Sequence, residues 1–259
     1  GSTAGPSGTF NLSAGTVTST YGFRVGGDAT ANTGLATLNL SGGVIHSNGN
    51  FVIGDGNRAE GAFVMTGGVL NVTGSNGTEF WVGNSHNGGY SEVGNGSATA
   101  SSGTLNVGSW LVIGRDGGQG TFTVSGDAVV NQGTSDANAN LELGNFNAGG
   151  TATLHLDGGT LHTNGIYDNG GETSTTTVNL NGGTLKARKD NGDFLNADTI
   201  NVKNGGAVID SNGYSVRIDN VLAANGTGGL TKNGLGQLEI TNQNTFTGAV
   251  VVNEGTLYA

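Results

Sequence analysis

The chain has 259 residues, 52 of them glycine and none cysteine, with 34% hydrophobic residues and a formal charge of −10. That much glycine excludes a helical protein, because each costs about 1 kcal/mol relative to alanine inside a helix, and the absence of cysteine excludes disulfides and thiolate metal centres. Nine basic residues against nineteen acidic ones argue against attraction to nucleic acid or to an anionic membrane.

The opening, residues 1–8, reads GSTAGPSG and is taken as a linker or expression scar on a fragment of a longer chain. No later stretch has apolar residues at helical spacing, and no apolar run approaches the roughly 18 residues of a membrane helix. From residue 9 to residue 228 the chain repeats. Thr37 to Gly56 shows the unit: Leu38 and Leu40 flank Asn39, Gly42-Gly43 bends the chain, Ile45 anchors a second short strand, and Phe51 and Ile53 flank Val52 before Gly54. Period-two alternation between Gly and Asn turns is the pattern of half-buried strands.

Three columns recur. The first is Phe10-Leu12, Leu38-Leu40, Phe63-Met65, Phe122-Val124, Leu154-Leu156, Val178-Leu180 and Ile200-Val202. The second runs through Val17, Ile45, Leu70, Leu105, Val130, Leu161, Leu185, Ile209 and Leu257. The third is Phe23-Arg24-Val25-Gly26, Phe51-Val52-Ile53-Gly54, Phe80-Trp81-Val82-Gly83, Leu111-Val112-Ile113-Gly114 and Leu141-Glu142-Leu143-Gly144, with its glycines 28, 29, 31 and 30 residues apart. Its middle residue varies widely, which predicts a solvent-facing position. The first column lapses between Leu70 and Leu105, where Asn84 to Ser102 is expected to hold a protruding loop or a degenerate strand around Val93.

One such unit cannot bury its apolar side alone, so copies must stack. The expected fold is all-β: a single-stranded parallel β-helix of about ten rungs of three short strands. It is expected to be right-handed, as parallel crossovers are, and about 45–50 Å long at roughly 4.8 Å per rung.

Residues 229–259 change character. Leu230-Thr231-Lys232, Gly234, Gly236, Leu238, Ile240, Asn244-Thr245-Phe246-Thr247-Gly248, Val252 and Gly255-Thr256-Leu257, together with Gly229, resemble the autotransporter-associated β-strand repeat, also called the passenger-associated transport repeat. Phe246 departs from the usual Tyr, and Ala249 and Val250 from the rest of the pattern. The resemblance implies a secreted, surface-displayed β-helical passenger in which this repeat aids folding and export. Its apolar run Ala249 to Val252 is also suited to seeding the stack.

Candidate chemistry is sparse. Asp28, Asp55 and Asp116 follow third-column glycines, as Asn84 and Asn145 do, and stacked carboxylates could bind Ca²⁺; Asp and Asn are equally turn residues. Lys186, Arg188, Lys189 and Asp190 form a charged cluster that a polysaccharide lyase or hydrolase could use, or else a solvated corner. Trp81, expected to point outward, and Trp110, expected at a corner, could make a platform for sugar rings. Of the four histidines, His46, His86, His155 and His162, the last two lie on neighbouring strands of one turn and could pair on a metal, whereas His46 shares the outward column of His162 but lies several rungs from it. No HExxH, GxSxG or phosphate-loop element is present. The expectation is therefore a non-enzymatic extracellular structural or adhesive module without cofactor. Its partners would be glycans, other cell-surface polymers or copies of itself, and it would touch no nucleic acid. A carbohydrate-binding or polysaccharide-degrading β-helix and an end-to-end stacking filament subunit are the alternatives.

Overall fold

In the computed structural model the described residues are 7–27, 34–56, 58–74, 77–85, 93–145 and 149–259. They form a parallel β-helix. Every strand pairing is parallel and joins a strand to its counterpart one turn later in the sequence. Strand spacing of about 4.8 Å then sets the rise of each turn.

The third column makes face 3, a six-stranded sheet in which Phe23–Gly27, Phe51–Asp55, Phe80–Asn84, Leu111–Arg115, Leu141–Asn145 and Ile166–Asp168 lie in register. The first and second columns make faces 1 and 2, which belong to one 17-stranded sheet. They are joined because Glu60–Val72 and Asn95–Val107 run through the corner as single strands, with a register shift between Met65 and Val69.

The inward residues form one continuous core. Phenylalanines pack on one another in its N-terminal half: Phe51 stacks on Phe80 at 5.4 Å with an interplanar angle of 11°, and Phe63 meets Phe51 edge-on at 5.4 Å. Ala98 occupies the inward slot between Phe63 and Phe122 in the strand register, so a small side chain sits between two large ones. This explains the lapse in the first column. The strand there is Asn95–Val107, with Ala98 and Ala100 inward rather than anything around Val93, and alanine gives no readable apolar signal.

Glycine is the penultimate residue of the first five face-3 strands for a steric reason. At Gly83 the backbone has φ +71°, and a Cβ would stand 2.1 Å from the Gln119 carbonyl oxygen of the following turn. No other residue could sit so close to the next rung.

One column assignment is corrected. Leu257 belongs to face 3, not to the second column: Val216, Leu238 and Leu257 pair in succession in a three-stranded sheet. The true successors of Ile209 are Lys232 and Val252. A lysine in an inward slot breaks the apolar pattern, and the next Gly-Thr-Leu, ending in Leu257, mimics the column. Face 3 is also interrupted, because between Ile166–Asp168 and Ser215–Ile218 only the isolated bridges Ile166 to Leu195 and Asn191 to Val216 carry it.

Candidate functional site

The outward side chains of faces 1 and 2 form amide ladders. On face 2, Asn106 donates to Asn71 at 2.8 Å, Asn131 to Asn106 at 2.9 Å and Asn253 to Asn233 at 2.7 Å. On face 1, Asn39 donates to Asn11 at 2.7 Å and Asn201 to Asn179 at 3.0 Å. Parallel in-register stacking puts like residues above one another, which satisfies each amide along the axis.

Face 3 departs from that rule. Its outward column is Arg24, Val52, Trp81, Val112, Glu142 and Tyr167, and just ahead of these strands lie Asn50, Glu79 and Trp110. The expectation that the middle position faces solvent fails here. Val52 and Val112 are each 1% exposed and Trp81 only 8%, and they form a second apolar cluster on the outside of the sheet, with Trp110 packed against it. Trp81 is on the outer side, as expected, yet it is covered rather than free. The Arg115 guanidinium lies 4.1 Å from the centre of its ring, a cation–π contact, and its indole N–H donates to the Glu79 carboxylate at 2.5 Å.

Two carboxyls on this face are displaced from ordinary behaviour. Burial pushes both Glu79 and Glu142 above the usual glutamate range, against the hydrogen bonds and the Arg115 charge that favour ionisation. Glu142 accepts from Asn169 at 3.0 Å and from Asn145. At the N-terminal end a cleft opens between Tyr21, Arg24, Asn50, Val52 and Trp81, and Tyr21 is 96% exposed.

The other candidates do not converge. Asp55 is buried, pairs with Arg24 and accepts from Asn84 at 2.6 Å. Asp116 pairs with Arg115 at 2.6 Å. Asp28 and His86 lie outside the described residues, among which no group of three His, Asp or Glu is placed to hold a metal. Lys186 pairs with Asp210 at 2.9 Å, and both line a shallow polar cleft with Asn233 and Asn253. Arg188 reaches His162 at 3.4 Å, while Lys189 donates to the Ala137 carbonyl and Asp190 accepts from the Ser215 amide. The charged cluster thus dissolves into contacts with neighbouring turns. His155 and His162 are likewise taken up separately, by Asn179 at 3.4 Å and by the Ala187 carbonyl at 3.1 Å.

The C-terminal repeat builds the last turns. Leu230 and Leu238 are buried and Phe246 and Leu257 pack against the core. Where face 1 runs out after Leu222–Ala224, Asn244 and Thr245 stand in for a strand: their side-chain oxygens accept from the Leu222 and Ala224 amides at 2.8 and 3.0 Å, and the Thr245 amide donates to the Leu222 carbonyl at 3.1 Å. That edge is therefore capped. Gly248 continues the pairing through the Gly228 carbonyl at 3.1 Å. Face 2, in contrast, ends on Val250, Val251 and Val252, which are 43–52% exposed.

The described residues form a parallel β-helix with polar ladders on two sides, one non-repetitive outer face and such a terminal segment, and its similarity to known proteins makes it a β-helix of the autotransporter passenger type. Residues 230–259 match the passenger-associated-transport-repeat family. Over 231 residues, 88% of its length, the chain is 31% identical to the adhesin BmaC autotransporter of Brucella suis biovar 1 (strain 1330), and it spans 6% of that protein. No solved structure matches the chain.

Proposed function

We propose that the chain is a non-enzymatic, surface-displayed adhesive segment of an autotransporter passenger, and that the outer side of face 3 is its contact face. The observation that carries this reading is the break in the polar ladders. Asn ladders satisfy the fold's own hydrogen bonds, but Tyr21, Trp81, Trp110, Glu79, Glu142 and Tyr167 answer to no such repeat. In solenoids the face that departs from the repeat is often the binding face. Exposed Tyr21, half-buried Trp110 and the amide of Asn50 offer stacking and hydrogen bonding suited to saccharides. The similarity to a named adhesin supports display at the cell surface, and the terminal repeat supports export. Hydrolysis of a saccharide would need both carboxyls open to it, whereas Glu79 and Glu142 are each held by neighbours.

Beads coated with the protein are applied to a glycan array and to cultured cell surfaces, with a reducing-end assay run on the same polysaccharides. Binding that falls when Tyr21 and Trp110 are replaced by Ala, with no release of reducing ends, is the expected result. Binding unaffected by those replacements overturns the contact face, and release of reducing ends overturns the non-enzymatic reading.

A further inference from the structure

Lys232 occupies an inward slot of face 2, directly between Ile209 and Val252 in the strand register, and its side chain is 0% exposed. An ammonium has three N–H donors and no acceptor, and all three donors are used. They go to the carbonyl oxygens of Asn233 at 2.7 Å, Gly234 at 2.6 Å and Glu254 at 3.2 Å. The first two belong to its own turn and the third to the turn that follows.

Two glycines of the repeat meet the same point. Gly234 has φ +72°, which lets its carbonyl bend back toward Nζ, and Gly255 has φ +71° with a notional Cβ only 3.0 Å from Nζ. The residues on which the repeat's signature rests, Lys232, Gly234 and Gly255, are thus parts of one device. Buried lysines are rare unless paired. Burial pushes this ammonium below the ordinary lysine range, while the charges of Asp210 and Glu254 pull it back. The three carbonyls make the burial tolerable only when all are in place.

We infer that Lys232 is a bolt that locks the last coil in register: its ammonium is buried only once the 253–255 turn closes over it, so residues 230–258 fold as a unit. A shift of one residue in the final turn would remove the Glu254 carbonyl and leave a buried donor unpaired, which selects against misregistered closure. The device does not depend on what the rod adheres to.

Two measurements on the full chain test it. Under native conditions an amine-acylating reagent, followed by peptide mass mapping, should modify Lys189 and Lys203 and spare Lys232. In K232M, hydrogen exchange of the amides at 253–258 should lose protection while that of 199–218 stays as in the parent, and K203M should change neither. Acylation of Lys232 at the rate of Lys203 overturns the inference, as does K232M exchange at 253–258 that matches the parent. Should K232M fail to fold, the acylation of the unaltered protein still decides.

Discussion

Val52→Asp separates the two accounts of face 3. Alternation alone makes Val52 an outward residue at which Asp is harmless. In the structure it is 1% exposed and packs with Trp81 and Val112 on the outside of the sheet. Burial of a valine side chain contributes about 1.5–3 kcal/mol, and a carboxylate desolvated there without a partner of its own costs several kcal/mol more. The neighbouring cation is Arg24, one turn away in register, and it is already engaged by Asp55. It offsets part of that cost, leaving a net loss of about 3–5 kcal/mol. Ile53→Asp, fully inside the core, should lose at least as much, and Thr175→Asp, at an exposed position of face 1, should stay within about 0.5 kcal/mol of the parent. Urea unfolding gives the ranking. Because a solenoid can open locally, hydrogen exchange of Phe23–Gly27 and Phe80–Asn84 supplies the regional readout. If Val52→Asp unfolds together with Thr175→Asp, the outer cluster contributes nothing and the reasoning fails.

Glu142 is raised above its ordinary value of 4.5 by burial, so its contribution to stability is fully present below that value and is lost as pH rises through its folded pKa; the melting temperature of E142Q minus that of the parent should therefore increase between pH 4 and pH 7, and a flat or falling difference refutes the assignment. Phe80 is fully buried between Phe51 and Phe122, at 5.4 and 6.0 Å, so Phe80→Ala should cost about 3–5 kcal/mol in urea unfolding, and a loss under ~1 kcal/mol would mean that the aromatic stack does not hold the N-terminal turns.

What the sequence made legible is what recurs. Inward residues such as Ile45, Leu70, Leu105, Val130 and Leu161 recur once per turn because one register, repeated, forces each to meet its copy. The face-3 glycines recur because each lets the next turn approach within contact of its backbone. The features that escaped are those where one rung compensates for another. Ala98 is silent in the pattern because Phe63 and Phe122 fill its space from above and below. Val52 and Val112 look solvent-facing because the side chain that covers them, Trp81, comes from the rung between them. Lys232 reads as a polar surface residue, yet it is buried by carbonyls 1, 2 and 22 residues away in sequence. Period-two reasoning assigns a side of the sheet, but burial on the outer side depends on which larger neighbour leans across. In a stack only ~4.8 Å per rung, an indole or a lysine stem spans more than one rung. The outer column of face 3 is therefore a set of couplings between turns rather than a row of independent surface positions. If the outer side of face 3 is the contact face, as proposed, it is preorganised by the fold itself, which lowers the ordering cost of binding.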